Sequence, residues 1–405
     1  MATVVLIGTL DTKGAELALV RDRLREHGVD VILVDAGIVG EPQVEPDVDR
    51  QEVAAAAGAD VAALAAAADR GAAVTAMGEG AAAVVSRLHA EGRVQGVLGL
   101  GGSGNSSIAA RAMRALPVGV PKLIVSTVGS GDTRPYVGAV DIAVMYSVVD
   151  IAGVNRVSAR IMANAAAMVA GAARAGMPDL GAEKPLVAAT MFGVTTPCVD
   201  AARGRLEELG YEVLVFHATG TGGQSMEALA AGGFLAGVLD VTTTELADEL
   251  VGGVLSAGPD RLDAAGAAGL PQVVSLGALD MVNFGPEETV PEQFRGRNLY
   301  VHNPTVTLMR TTAEECRELG RTIGRKLSAA RGPVALYVPL RGVSMIAVEG
   351  QVFHDPAADD ALLEGLRETL AANVEVHEVD TDVNDRAFAI AMADRLHAMV
   401  RGAAS

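Results

Sequence analysis

Three polar, glycine-rich loops in the first half of the sequence follow apolar runs and have the composition of anion-binding loops. They cover residues 8–14 (GTLDTKG), 99–106 (GLGGSGNS) and 126–134 (STVGSGDTR). Glycine lets backbone N–H groups approach a phosphate closely, and the N-terminus of a following helix adds free donors and a favourable dipole. Lys13 adds a positive charge, and Asp11 and Asp132 are suited to hold Mg²⁺ against phosphates. The candidate phosphate-binding residues are Thr9, Asp11, Thr12, Lys13, Gly101, Gly102, Ser103, Gly104, Asn105, Thr127, Gly129, Ser130, Gly131 and Asp132.

The second of these loops partly matches a dinucleotide fingerprint. Gly99, Gly101 and Gly104 form G-x-G-x-x-G after a predicted strand and before a predicted helix. The fingerprint also needs an acidic residue about 20 positions further on to bind a ribose, and the next strand ends in Ser126-Thr127 instead. NAD is therefore the second choice of ligand. The alternative to any anion site is that the loops only end strands and begin helices.

The second half of the sequence carries the candidate catalytic residues. His217 ends a predicted strand and His302 lies in a long irregular segment. Both are candidate acid/base groups, because an unperturbed histidine titrates near neutrality. Glu227 begins the next helix and is expected to orient His217, while Arg310 is expected to grip a carboxylate or phosphate. The alternative is that these histidines are hydrogen-bonded structural groups.

The elements that must position these residues follow a repeated order of strand, glycine-rich turn and alanine-rich helix. Apolar strands of five or six residues alternating with helices indicate parallel sheets covered on both faces. We predict two similar doubly wound domains of the Rossmann or flavodoxin type, residues 1–180 and 181–405, joined by a linker at Gly176–Pro185. A strand order of 2-1-3-4-5 in the first domain brings the loops after strands one and three together at the switch point, where ligands bind.

Two features qualify this organisation. Aligning Gly28 with Gly210 places Asp35 opposite His217, which predicts an internal duplication, although any two strand–helix–strand units look alike. Residues 280–312 break the rhythm, and this long, proline-containing stretch is expected to be irregular and functional or interfacial. The small residues of a predicted helix at 151–175 would permit close contact with a second copy, or packing on the domain's own sheet.

The composition excludes several classes of protein. The chain has 405 residues, is 50% hydrophobic and carries a net charge of −18. A charge of this sign argues against a nucleic-acid-binding surface, which must neutralise phosphates. No apolar run reaches the roughly 18 residues of a membrane span, and two cysteines make no disulfide framework. These properties predict a soluble, cytoplasmic protein.

Several longer motifs resemble a known family. The first half contains GTLDTKG, GLGGSGNSSIAARAM and STVGSGDTRPYVG, and the second contains FHATGTGGQSMEAL, GALDMVNFG, HNPTVTLMRTT and PLRGVSMI. Together these segments resemble the Tm-1-like ATP-binding family, which groups uncharacterised bacterial proteins with the tomato inhibitor of tobamovirus RNA replication. The resemblance implies two α/β subdomains, ATP and Mg²⁺ bound in the first, and a homodimer. It carries ATP contacts over to Thr9, Asp11, Thr12, Lys13, Gly102, Ser103, Gly104 and Asn105.

Three hypotheses for function follow. The first is an ATP(Mg)-binding protein that acts on a small anionic metabolite bound in the second domain. The second is a nucleotide-sensing scaffold that binds ATP without turnover. The third is a hydrolase or lyase that uses the second domain alone. Some relatives carry a further TIM-barrel-like domain, so an activity that needs one would require a separate partner here.

Overall fold

A computed structural model describes residues 2–176 and 184–403 of the chain, so most of the predicted linker lies outside the described residues. The chain separates into two compact units, residues 1–180 and 181–405, which we call the first and second units. The strands of the first unit are β1 (Thr3–Gly8), β2 (Asp30–Asp35), β3 (Gly96–Gly101), β4 (Lys122–Ser126) and β5 (Ile142–Tyr146). Its helices are α1 (Leu10–Glu26), α2 (Arg50–Ala56), α3 (Val61–Ala67), α4 (Arg70–Ala90), α5 (Ser103–Arg114), α6 (Arg134–Val137) and α7 (Arg156–Arg174).

The first sheet is parallel and has the order β2-β1-β3-β4-β5, the order in which the loops after β1 and β3 are expected to meet. Its central strands are apolar because both faces are covered. Leu17, Val20 and Leu24 of α1 are buried at helical spacing on one face, together with residues of α7. Helices α2, α4 and α5 cover the other face. The first unit is therefore doubly wound, as the alternation of strands and helices in the sequence predicts.

For the helices of this unit, one prediction is wrong, and the structure decides between two roles of the small residues on α7. The sequence predicts a break near Gly78–Gly80, but α4 runs through it. The helix keeps Gly80 because a Cβ there would lie 1.9 Å from the carbonyl oxygen of Val53 on α2. Along α7, Ala166 and Ala170 are fully buried against the unit's own sheet. These two small residues therefore serve packing within the unit.

In the second unit the strands are β6 (Leu186–Met191), β7 (Glu212–His217), β8 (Gly237–Thr242), β9 (Gln272–Gly277), β10 (Met281–Phe284), β11 (Leu299–Asn303), β12 (Val306–Arg310), β13 (Val334–Pro339) and β14 (Val374–Val379). The helices are α8 (Thr196–Glu208), α9 (Thr221–Ala231), α10 (Glu245–Val251), α11 (Ala264–Ala267), α12 (Ala313–Ser328), α13 (Pro356–Thr369) and α14 (Arg386–Ala403). The main sheet is parallel and has the order β14-β13-β9-β8-β6-β7.

Read from β7, this order repeats the order of the first sheet and adds β14. The ends of the first two strands also correspond, because Gly8 pairs with Asp35 and Met191 pairs with His217. The alignment that places Asp35 opposite His217 thus describes equivalent positions in two units of the same topology.

The prediction that residues 280–312 are irregular is wrong for three short segments within them. They form the antiparallel sheet β10-β12-β11. Its strands have four or five residues, and a segment that contains Pro286 and Pro291 separates β10 from β11. Strands this short contain too few residues to show a clear alternation of apolar and polar side chains. The prolines therefore led to the prediction of an irregular segment. Within the described residues, no helix is long and apolar enough to cross a membrane.

Candidate functional site

A cavity of about 730 Å³ lies at the carboxyl ends of β1, β2 and β3 in the first unit. Because β1 and β3 are neighbours, the loops after them face the same space. Eight of the candidate phosphate-binding residues line this cavity: Thr9, Asp11, Thr12, Lys13, Gly101, Gly102, Gly104 and Asn105. The topology therefore brings the first and second glycine-rich loops together at the switch point.

The third loop is not part of the cavity lining. Thr127, Gly129, Ser130, Gly131 and Asp132 follow β4, which lies one strand further from the switch point. Asp132 is exposed, and hydrogen bonds from Arg134 at 2.9 and 2.7 Å lower the pKa of Asp132 to about 2. The structure therefore does not bring the two proposed Mg²⁺ ligands, Asp11 and Asp132, to the same cavity. Ser103 also lies outside the cavity lining.

The N-terminus of α5 opens onto the cavity. Its N-cap is Gly102, which has no side chain to satisfy the first-turn N–H groups. Gly102 and Gly104 both line the cavity, so the backbone is directly accessible there. An N-terminus of this kind attracts anions through its free donors and its dipole.

Two buried oxygen acceptors without partners also belong to residues that line the cavity. The Asp11 side chain is only 3% exposed, and its Oδ2 accepts from the N–H of Val39 at 2.9 Å. Its Oδ1 has no hydrogen-bond partner among the described residues, and neither has Oδ1 of Asn105. The Asn105 amide nitrogen donates to the Leu100 carbonyl, which fixes the orientation of the amide. Unsatisfied buried acceptors are rare in native proteins, and donors or a cation on a ligand would satisfy these two.

Lys13 has a structural partner. Its ammonium group donates to the carbonyl oxygen of Ile151. Three residues further along α1, Glu16 accepts from the N–H of Gly153 at 2.7 Å. These two contacts fasten the first turns of α1 to the loop before α7. An ammonium group has three donors, so Lys13 keeps capacity for a ligand, but its position is set by the fold.

In the second unit, a side chain of the protein occupies the N-terminus of α9, the helix that follows β7. The loop between β7 and α9 contains Gly220, and α9 begins at Thr221. Oε1 of Glu245 accepts from the N–H of Gly220 at 2.7 Å and of Gly223 at 3.0 Å. A Cβ on Gly223 would lie 2.2 Å from Oε2 of Glu245, so the glycine makes room for this carboxylate.

Arg261 connects this carboxylate to two others. The guanidinium group of Arg261 is fully buried and bonds to Glu245 at 2.6 Å, to Asp240 at 2.6 and 2.7 Å, and to Glu227 at 3.2 Å. Glu227 also accepts from the N–H groups of Leu262 and Ala264. The expectation that Glu227 orients His217 is therefore wrong. Burial raises the pKa of both Glu227 and Glu245.

The other catalytic candidates occupy separate places. His217 is exposed at the end of the edge strand β7, with its ring 5.5 Å from that of Phe192. His302 is exposed on β11 of the small sheet. Arg310 is buried and bonds to Asp359 at 2.7 Å and to the Phe353 carbonyl at 2.8 Å, so it holds the fold together instead of gripping a substrate. No hydrogen bond or ring contact joins the two histidines in the described part of the chain.

A cavity of about 470 Å³ in the second unit lies beyond the end of β13. Its lining includes four carboxylates, from Glu349, Asp359, Asp360 and Asp382. Arg341 also lines it but pairs with Asp380. This lining is acidic and does not resemble a site for an anion. Across residues 2–176 and 184–403, no three His, Cys, Asp or Glu side chains are arranged to hold a metal ion.

Comparison with known proteins assigns the family. The model described as the Uncharacterised protein family (UPF0261) N-terminal domain matches residues 2–178, and the C-terminal domain of that family matches residues 184–400. The chain belongs to the UPF0261 family. A UPF0261 protein from Clostridium tetani is 53% identical over 97% of this chain and 98% of its own length. One from Rhizobium meliloti is 48% identical over 96% of this chain and 97% of its own.

The tomato proteins extend the same relationship. The ToMV susceptible protein tm-1(GCR26) of Solanum lycopersicum is 40% identical over 96% of this chain and 55% of its own length. The resemblance found from the motifs is therefore confirmed, and this UPF0261 chain spans about half of the tomato protein. Among solved structures, UDP-N-acetylglucosamine 2-epimerase from Rickettsia bellii matches with a TM-score of 0.25 and 12% identity over 67% of this chain and 78% of that one. This likeness is too weak to bear on fold or function.

Sequence reasoning missed one whole wall of the cavity in this UPF0261 chain. Arg70, on the first turn of α4, is the cation that sequence reasoning missed. The apolar part of the wall comes from α3, α4 and α5 and from the residue between α3 and α4: Leu64, Ala65, Ala68, Ala73, Val74, Met77 and Ile108. The alanine-rich sequence of α3 and α4 predicted helices and nothing more, because helical periodicity does not tell which face of a helix borders a cavity.

Proposed function

We propose that the first unit binds ATP with Mg²⁺ in the 730 Å³ cavity. The observation that carries this proposal is the meeting of three features in one cavity: a glycine-rich loop, the uncapped N-terminus of α5, and an apolar wall. The first two suit a phosphate chain, since backbone donors and the helix dipole favour anions. The wall of Leu64, Val74 and Met77 suits the faces of a purine.

Asp11 is the residue that fits Mg²⁺ in this proposal. Its Oδ1 is the carboxylate oxygen without a partner among the described residues. Mg²⁺ is commonly held by one or two carboxylates together with substrate phosphates and waters. One carboxylate therefore suffices when the phosphate chain supplies the other oxygens. Asp132 does not fit, because it lies outside the cavity lining and pairs with Arg134.

Two candidate functions use a nucleotide bound in the first unit. An ATP-dependent reaction on a small anionic metabolite needs a second site, and the second unit offers an acidic cavity and catalytic candidates held apart. A nucleotide-sensing protein without turnover needs only the first cavity. The occupation of the α9 N-terminus by Glu245 favours this second candidate. A homodimer and a separate TIM-barrel-like partner are carried forward from the family resemblance, and light scattering tests the dimer.

The decisive experiment places a carboxylate at the N-terminus of α5. Gly102→Asp suits the N-cap position, because Gly102 has φ −81° and ψ −168° and a Cβ there meets Thr127 at an ordinary 3.7 Å. Aspartate is a strong N-cap residue, so the variant should fold at least as well as the parent chain. Its charge should repel the phosphate chain. Titration calorimetry with Mg-ATP should show binding by the parent chain and its loss in Gly102→Asp.

The neutral variant Gly102→Asn is the matched control, because asparagine caps the helix with nearly the same shape. It should bind Mg-ATP more tightly than Gly102→Asp. Equal affinities for Mg-ATP in the parent chain and Gly102→Asp would contradict the proposed site. Absence of Mg-ATP binding by the parent chain would contradict the proposed function.

A further inference from the structure

The short helix α3 borders the cavity of the first unit and is held weakly by the rest of that unit. All seven of its residues are alanine, valine or leucine, yet none of them is buried. A helix that is apolar on all sides is normally buried, and one of this length is too short to be stable by itself. Its inner side chains, Val61 and Leu64, are only half-buried against the core. A segment with so little packing opens at a low free-energy cost.

Residues with positive φ lie on both sides of α3. Gly58, which precedes it, has φ 68°, and Ala68, which follows it, has φ 52°. Ala68 ends the helix in the left-handed region, which is unfavourable for a residue with a Cβ. A Cβ on Gly58 would meet no described atom within 4 Å, so the chain has room to move there. Residues at the ends of elements are the usual places where a hinge absorbs a change in φ and ψ.

The loop after β2 provides a second apolar border of the same cavity, and this border is fixed. Ile38 and Val39 line the cavity, and the Val39 side chain is 85% exposed. The N–H groups of Val39 and Gly40 donate to Oδ2 of Asp11 at 2.9 and 3.4 Å, which ties the loop to the start of α1. Ile38 and Leu64 pack against the same hydrophobic core, so the two borders are neighbours. One border is therefore anchored and the other is loosely held.

We infer that α3 is a lid that closes over the ligand of the first unit by packing on Val39. The inference rests on the proposed nucleotide function, which supplies the ligand. Closure brings Leu64 and Ala65 of the lining against Ile38 and Val39, and this removes apolar surface on both borders from water. The two hinge positions let the helix move as a unit. A ligand that contacts α3 when it is closed shifts the population to that state, and the closed lid keeps water from the ligand.

The test measures how fast a disulfide forms across the mouth of the cavity in the double variant Val39→Cys, Ala65→Cys under copper phenanthroline. The native cysteines do not interfere, because Cys198 and Cys316 are buried. A disulfide requires the two Cα atoms to come within about 7 Å, so its formation reports closure. Mg-ATP should accelerate the reaction about tenfold. The matched control is Val39→Cys, Ala62→Cys, because Ala62 is exposed on α3 and lies outside the cavity lining.

A second measurement follows amide hydrogen exchange of residues 61–67 in the parent chain. Closure gives α3 new packing, so Mg-ATP should slow this exchange about tenfold as well. A ligand that merely filled the cavity would keep the two borders apart and slow the formation of the disulfide.

The outcomes separate the lid from the proposed function. If calorimetry shows that Mg-ATP binds, but Mg-ATP leaves the disulfide rate of the Ala65→Cys pair unchanged or slows it, the lid is overturned and the nucleotide site stands. If Mg-ATP does not bind, but the Ala65→Cys pair still reacts faster than the Ala62→Cys pair, the lid stands and the nucleotide is wrong. If Mg-ATP does not bind and the two pairs react equally, both are overturned.

Discussion

Glu245 and Arg261 form a buried ion pair in the second unit, with Oε2 of Glu245 2.6 Å from Nε of Arg261. The other oxygen of Glu245 accepts two backbone N–H groups at the start of α9. One carboxylate thus satisfies a helix N-terminus and a buried arginine together. In the first unit, the N-terminus of α5 has only glycine at its cap. The two helices follow strands that do not correspond, β7 and β3, and a side chain occupies the first helix end while the second faces a cavity.

Replacing Arg261 should strongly destabilise the second unit. Arg261→Met leaves the carboxylates of Glu227, Asp240 and Glu245 close together without their shared cation. Breaking a buried ion pair from one side costs roughly 3–5 kcal/mol of unfolding free energy. Urea unfolding of the full chain measures the loss. Arg205→Met, which breaks an exposed pair with Asp394, should cost about 1 kcal/mol or less. Similar losses in both variants would contradict the structural role of the buried network.

Asp248 should make stability fall as pH rises. Burial raises the pKa of Asp248 to about 7, so the folded state keeps a proton that the unfolded chain releases near its ordinary pKa of about 4. Between these values the folded state binds more protons, and stability therefore decreases with increasing pH by about 1 kcal/mol per unit. Asn283 donates to Oδ2 of Asp248 at 2.7 Å, while its own Oδ1 has no partner within the described residues. Rotation of this amide would let it accept the proton of Asp248.

Asp248→Asn should remove this part of the pH dependence. Chemical unfolding at several pH values measures it, with the exposed Asp200→Asn on α8 as the control. The difference in stability between Asp248→Asn and the parent chain should grow in favour of the variant as the pH rises from about 4 to 7. A constant difference over that range would show that Asp248 is ionised in the folded protein.

Val148 occupies a strained backbone conformation that glycine should relieve. Its φ is 63°, and the N–H of Val149 donates to the Ser147 carbonyl at 2.7 Å, which closes a three-residue turn. A β-branched residue with positive φ is unfavourable, and such strain costs about 1–3 kcal/mol. Because Val148 is 60% exposed, little packing is lost in Val148→Gly. We expect a net gain of about 1 kcal/mol, measured by thermal unfolding, after the entropic cost of glycine. Val154→Gly, an exposed valine in the same loop, should give no gain.

Two glycines in helices should respond to alanine in opposite directions. Gly80→Ala places a Cβ 1.9 Å from the Val53 carbonyl oxygen, and the resulting shift of α4 from α2 should cost about 1–3 kcal/mol. Gly171→Ala on α7 meets no described atom within 4 Å and should stabilise the first unit by about 0.5–1 kcal/mol. Both are measured by thermal unfolding. Equal effects of the two substitutions would contradict the close contact of α2 and α4.

Much of the architecture was readable from the sequence. The alternation of strands and helices was recognised because the central strands of the parallel sheets, such as β3 and β8, are buried throughout and form continuous apolar runs. The segment 281–310 was misread because β10, β11 and β12 are short and adjoin prolines. The site of the first unit was found in part, since strand order places the loops after β1 and β3 together. The apolar wall and Arg70 were missed because these residues lie on helices or between them, whereas the search considered the loops that follow strands of the sheet.

The sequence by itself determined the alternation of strands and helices behind the two parallel sheets, the family, and the two loops that meet at the switch point of the first sheet. Only the tertiary structure decided which polar groups remain available to a ligand. Asp11 and Glu245 are both carboxylates near glycine-rich loops, yet Glu245 pairs with Arg261 and Gly220 while Oδ1 of Asp11 has no partner among the described residues. Hydrogen-bond partners are chosen by distance in space, and residues 16 to 25 positions apart meet only after the chain has folded.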